Sequence, residues 1–180
     1  RSVTLVKEEK GVLPISPEKY PRILYYPIES EQGVGYSVKA GVCSHFKKML
    51  EEQGFQVTTF EPNAGREGKV TRTSDILSQY DLVLYAANIS TKSNQTTVRI
   101  EWQQPMGANC PHYLNSVPTI FVSFENPYHL LDVPRIKTFI NAYNSNDHVL
   151  EAVMDKLTGR SEFKGKSPVD AFCGKWDTRL

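Results

Sequence analysis

Cysteine is scarce, and the residues missing alongside it rule out several classes of protein. Only three cysteines occur, Cys43, Cys110 and Cys173. They are odd in number and widely spaced, with no C-x-x-C pair. Neither a disulfide framework nor a thiolate metal site is expected, and the free thiols favour a reducing, cytoplasmic compartment. No apolar run reaches the roughly 20 residues of a membrane span, so no membrane partner is expected. Charge of neither sign dominates: 21 Lys and Arg face 20 Asp and Glu, a net charge of +1. This argues against a nucleic-acid surface. There is no internal repeat and no low-complexity tract. A full G-x-G-x-x-G is also absent, because Val38 or Lys39 stands where Gly33-Val34-Gly35 would need a third glycine. That leaves these glycines as a loop ahead of a helix, and no metal or cofactor is expected. Asn88-Ile89-Ser90 and Asn94-Gln95-Thr96 match the glycosylation triplet, which arises often by chance.

What remains is an ordinary globular composition over 180 residues, 39% apolar and 23% charged, enough for one domain with its own core. The chain opens Arg1-Ser2-Val3-Thr4-Leu5 with no initiator Met, so a piece of a longer chain is expected. Residues 1–21 carry Pro14, Pro17 and Pro21 and read as a linker, with Val3, Leu5 and Val6 finishing a helix or docking on a neighbour. Arg22–Ile28 predicts a strand with Pro27 at its end. Tyr36–Gln53 predicts a helix: Val38, Val42, Phe46, Met49 and Leu50 form the stripe, Ser37 the N-cap and Gly54 the residue past the C-cap. Phe55–Phe60 is a second strand, completing a parallel βαβ unit. Thr73–Gln79 predicts a short helix that buries Ile76 and Leu77. Asp81–Ala87 predicts a strand, while Val98–Trp102 is undecided and Gln103–Val117 irregular.

The most informative stretch is Val117–Tyr143. Two apolar runs, Thr119–Phe124 and Ile136–Ile140, have strand length and β-branched or aromatic content without alternation, as in a sheet covered on both faces. Between them lies Glu125-Asn126-Pro127-Tyr128-His129-Leu130-Leu131-Asp132-Val133-Pro134. Asp147–Leu157 is a helix with Val149, Leu150, Val153, Met154 and Leu157 on one face and Gly159 beyond its end. Residues 161–180 read as a surface tail pinned by Phe163, Phe172 and Trp176. The fold expected is α/β, a parallel or mixed sheet of five or six strands between helices, flavodoxin-like in three layers.

The strand–NPYHLLDVP–strand–INAY pattern resembles the C-terminal α/β domain of glycoside hydrolase family 3, on its β-N-acetylhexosaminidase branch. Ser2–Glu9 with Leu13-Pro14-Ile15 resembles the segment leading out of that family's barrel, and Phe163–Val169 resembles its closing segment. The resemblance spans nearly the whole chain. It implies an accessory domain (residues 22–160) of a retaining enzyme that releases terminal β-linked N-acetylhexosamine. The partner would be an N-terminal (β/α)8 barrel of the same parent, holding the nucleophile and the acid/base.

Glycoside cleavage needs two carboxyl groups flanking the bond. The family's Lys-His-Phe-Pro-Gly loop is absent. Ser74-Asp75 opens an amphipathic helix, where capping explains it, rather than ending a buried strand. No catalytic residue is therefore expected in this chain. The candidates that come nearest are Glu125, just past an apolar strand where α/β folds place ligand-facing groups, and after it Glu101. His129 and Asp132 are three apart, but no adjacent nucleophile makes them a catalytic dyad. Asn126 and Asp132 are expected to satisfy loop N–H groups while Tyr128 and Leu130 pack. The loop of Asn126, Tyr128, His129 and Asp132 is the substrate-adjacent candidate. His45 and His148 lie on helices and need no special role. The alternative reading is a stand-alone module binding phosphate or nucleotide through Gly33 and Gly35, or carbohydrate through Trp102, Tyr113 and Trp176.

Overall fold

The computed structural model describes residues 3–29, 41–61, 73–91, 95–103 and 107–180. Its frame is one mixed sheet of six strands: β1 (Thr4–Lys7), β2 (Arg22–Glu29), β3 (Gln56–Thr59), β4 (Leu82–Asn88), β5 (Thr119–Ser123) and β6 (Thr138–Asn141). The order across the sheet is β1-β6-β5-β4-β2-β3. All neighbours are parallel except β1, which runs antiparallel to β6. Without β1 this is the flavodoxin-like order, with strand succession reversing between β2 and β4.

Residue alternation divides the core in two. Ile23, Tyr25, Leu82, Leu84, Ile120, Val122 and Ile140 face helices α1 (Val42–Glu52) and α3 (Asp147–Leu157). Leu24, Tyr26, Val83, Tyr85, Phe121 and Phe139 face the opposite way. There the cover is α2 (Thr73–Gln79) through Ile76, plus irregular chain bearing Ile100, Tyr113, Val117, Leu130, Val133 and Ile136. The second helical layer expected from sequence is thus mostly loop, anchored by single large side chains.

A row of aromatic rings crosses this second face. Tyr26, Tyr85, Phe121 and Phe139 stand side by side on four neighbouring strands. Their rings stack at centroid distances of 4.4, 5.6 and 5.2 Å. Phe60, just past β3, extends the row at 4.5 Å from Tyr26. Offset stacking of this kind contributes beyond area burial. Tyr85 also donates to the Asn109 carbonyl at 2.6 Å and lies 2.7 Å from the Tyr113 hydroxyl, so its buried oxygen is satisfied.

Several expectations shift. Residues 4–7, expected inside a linker, form β1, and Val12 and Ile15 join the core. Of the long helix expected over 36–53, the described part begins at Val42 behind Gly41, and the Ser37 cap lies outside the described residues. Gly54 follows the helix at φ 101°, a conformation that costs glycine nothing. Pro27 is not at the strand end, since β2 continues to Glu29. It lies beyond the last β3 partner, Tyr25, so its missing N–H falls where β2 is paired only to β4. Leu77 is half exposed instead of buried, because a seven-residue helix turns only Ile76 inward. α3 matches its expected span, with Asn146 Oδ1 accepting from the Val149 N–H at 2.9 Å as N-cap.

The tail runs from α3 past β1. Phe163 packs on the first core and Phe172 on the second. Tyr143 donates to Ser167 Oγ at 2.9 Å, and residues 165–172 flank Thr4, Leu5 and Val6 of β1. Trp176, expected to pin the tail, is 76% exposed; the Arg179 guanidinium instead sits 4.1 Å over the Phe172 ring.

Candidate functional site

In a sheet of this order, ligands bind outside the carboxyl ends of the parallel strands. At the end of β2 the place is taken by the protein itself. Glu29 Oε1 accepts from the Cys43 N–H at 2.8 Å, in the first turn of α1. A carboxylate at a helix N-terminus occupies the position a bound phosphate would use. Gly33 and Gly35 lie outside the described residues. The same carboxylate disposes of Cys43 as a nucleophile: burial pushes its thiol well up, and the Glu29 charge adds to the shift. Glu29→Ala is expected to lower stability by about 1 kcal/mol, as loss of a cap does, read as a fall in the urea midpoint. Glu29→Gln should recover part of the loss through its amide oxygen.

At the ends of β4 and β5 there is open space instead. A cavity of about 560 Å³ is lined by Ser90, Thr91, Thr96, Thr97, Val98 and Arg99 on one side. Glu125, Asn126, Pro127, Tyr128 and Leu131 form the other. Of the four residues expected beside the substrate, Asn126 and Tyr128 line this cavity, whereas His129 and Asp132 are not among its lining. Glu125 is half-buried and accepts from Ser145 Oγ at 2.5 Å. Tyr143, two residues before Ser145 and just past β6, adopts φ 62°, unusual for a bulky residue. Asn126 accepts from the Tyr128 N–H at 2.9 Å, the Asx-turn role expected of it. Its carbonyl receives the Ser123 hydroxyl, and Asn141 Nδ2 holds the Pro127 carbonyl at 3.1 Å. Tyr128, expected to pack, is 42% exposed, while Leu130 is buried.

His129 and Asp132 do meet, but as a clamp. The His129 ring is fully buried, with Nδ1 3.0 Å from Asp132 Oδ2. A carboxylate can only accept, so Nδ1 carries the proton. Arg99 Nε donates to Asp132 Oδ1 at 2.5 Å, and its Nη2 donates to the Leu131 carbonyl at 3.1 Å. Burial pushes Asp132 up, but the hydrogen bonds from His129 and Arg99 outweigh it and hold the carboxyl below its usual range. Asp132 thus fastens its own loop to the chain before β5, not to loop N–H groups as expected. Sequence reading missed Arg99, Ser145 and Glu29. Arg99 sits 33 residues from its partner in a stretch without periodicity, so no local signal could have found it.

The other candidates are not brought together. Glu101 is exposed, and Asp75 lies exposed in the first turn of α2, as capping predicts. Tyr113 is buried, Trp102 half-buried and Trp176 exposed, so they form no aromatic platform. Asn88 is buried within β4, which rules it out as a glycosylation acceptor, while Asn94 lies outside the described residues. Among the described residues no group of His, Cys, Asp and Glu could hold a metal ion, and no helix is long and apolar enough to cross a membrane.

Comparison with known proteins adds what the geometry cannot. Over 180 residues the chain is 57% identical to the beta-N-acetylglucosaminidase/beta-glucosidase of Cellulomonas fimi. It is homologous to one part of a glycosidase. The match takes in 99% of this chain and 32% of that enzyme, so the chain spans about a third of its relative's length. The solved beta-glucoside phosphorylase BglX is 46% identical and superimposes with a TM-score of 0.85 over 99% of this chain and 31% of its own. A glycoside hydrolase family 3 beta-N-acetylglucosaminidase from Paenibacillus, at 17% identity and TM-score 0.57 over 94% of this chain and 30% of its own, shares the fold. No protein-family model matches the chain.

Proposed function

We propose that this chain is the C-terminal accessory domain of a retaining, family 3-type glycoside hydrolase that releases terminal β-linked N-acetylhexosamine. The supporting observation is the 57% identity along 99% of the chain to an enzyme three times as long by coverage, of which the chain matches 32%. Retaining cleavage needs a carboxylate nucleophile and a second carboxyl group close by. Here Glu125 is tied to Ser145, and Asp132 is held between His129 and Arg99. Neither is poised as such a pair.

The chemistry then belongs to the remainder of the parent, an N-terminal (β/α)8 barrel. Residues 1–21 lead in from it and contribute β1 to the sheet, residues 22–160 form the rest of the sandwich and residues 161–180 close the domain. The loop of Asn126, Tyr128, His129 and Asp132 faces the barrel and borders its active-site mouth: Tyr128 presents its ring, and the His129–Asp132 clamp holds it in place. The 180-residue chain alone is expected to give no turnover of an aryl N-acetyl-β-glucosaminide, and addition of the barrel portion should restore it. Turnover by the purified chain alone would sink this reading.

The phosphorylase likeness favours a second reading of the acceptor, phosphate in place of water. Assaying the complete parent in phosphate buffer separates the two, since one gives free sugar and the other sugar 1-phosphate.

A further inference from the structure

We infer that Lys7 is a site of reversible carbamylation, its amine taking up carbon dioxide to form a carbamate that pairs with the Lys137 ammonium across the β1–β6 border. Lys7 ends β1 opposite Phe139, while Thr4 at the other end pairs with Asn141. Lys7 thus lies toward the amino end of β6, away from the carboxyl ends where the cavity opens. Its Nζ donates to the Pro134 carbonyl at 3.3 Å, which holds the half-buried amine against the chain. Lys137 stands two residues before Phe139, as the diagonal neighbour of Lys7, and is itself half-buried. Among the described residues neither lysine forms an ion pair. Two ammonium groups therefore share one border without a paired carboxylate, an arrangement that works against the folded chain. Burial first, and the Lys137 charge second, hold the Lys7 ammonium below its ordinary range.

Carbamylation turns that arrangement round. The neutral Lys7 amine gives its lone pair to the carbon of carbon dioxide. An N–C bond forms, one C=O electron pair moves onto oxygen, and a nitrogen proton leaves to water. The product keeps one N–H for the Pro134 carbonyl and carries an anion where a cation stood. Repulsion across the border becomes attraction to Lys137. β1 has a ladder on one side only, so the new pair fastens the outermost strand of the sheet whenever carbon dioxide is present. Lys47 and Lys164 face carboxylates instead, those of Glu51 and Glu162. A carbamate there would meet a like charge, which makes these two lysines internal references.

The test equilibrates the 180-residue chain with carbon dioxide and bicarbonate at mildly alkaline pH, traps carbamates with triethyloxonium and maps them by mass spectrometry of the digest. The trapped group should appear on Lys7 several-fold above Lys47 and Lys164. Lys7→Arg should remove that signal and leave the references as they were. Lys137→Met, checked as folded by its thermal midpoint, should lower the label on Lys7 several-fold, the effect of one partly exposed ion pair. Carbon dioxide should also raise the thermal midpoint of the unaltered chain above that in chloride of matched ionic strength, as a ligand favouring the folded state does, and should not raise that of Lys7→Arg. Equal label on Lys7, Lys47 and Lys164, full label on Lys7 in Lys137→Met, or a midpoint that carbon dioxide leaves unmoved would each overturn the inference.

Discussion

Replacing Tyr85 with alanine should cost about 3–5 kcal/mol, the range for deleting a large aromatic side chain from a packed core. The ring is fully buried at the centre of the aromatic row, between Tyr26 at 4.4 Å and Phe121 at 5.6 Å. Its loss cuts the row in the middle of the sheet, where the stiff β-framework cannot collapse into the space. It also leaves the Asn109 carbonyl and the Tyr113 hydroxyl, both buried, each short of a partner. Tyr85→Phe keeps the stack and removes only the oxygen, which should cost about 1–3 kcal/mol. Urea denaturation of both variants separates the terms: the midpoints should fall in that order with unchanged m-values. If Tyr85→Ala were no worse than Tyr85→Phe, the stacked rings would contribute nothing measurable.

Asp132→Ala is the second large effect, expected at about 3 kcal/mol. Arg99 is 59% exposed and recovers water when its partner goes, so only a part of that cost comes from the ion pair. The larger share falls on His129, whose buried Nδ1 proton has no water to turn to. Asp132 also sets an acid limb. Its carboxyl titrates lower in the folded chain than its ordinary value. The stabilisation is therefore complete above the unfolded value, about pH 3.9, and is lost as pH falls through the lower folded value. Asp132→Asn should flatten the decline of stability below about pH 4, measured as urea midpoints across an acid series. An acid limb identical in the two proteins would place the pH sensitivity elsewhere.

The parts of this architecture that sequence made legible are those set by continuous burial. Leu82–Asn88 and Thr119–Ser123 are buried at every position, and a strand covered on both faces writes itself as an unbroken apolar run. α3 announced itself by its stripe and by Gly159, which sits at φ 78°. β1 could not be seen: Thr4–Lys7 is too short for its own pattern and is a strand only because β6 offers it a free edge. The loop side of the sheet was equally opaque, since Tyr113, Val117 and Ile100 reach it from segments with no period. At the site, the Asn126 turn was readable from a local rule, whereas Arg99 reaches Asp132 from 33 residues away and Ser145 reaches Glu125 from 20. Long-range pairing of single polar groups leaves no trace in spacing.

The tail lying along β1 has a consequence for how copies of this chain behave in a crowded solution. β1 has a ladder partner on one side only, so its outer N–H and C=O groups would otherwise be a template for any passing extended segment. Residues of the tail between 165 and 172 line a surface pocket together with Thr4, Leu5 and Val6, which brings the tail near this border. The opposite border, β3, remains, and its four residues, Gln56–Thr59, are polar at three positions. A border strand so short and hydrophilic gives a foreign strand little to extend.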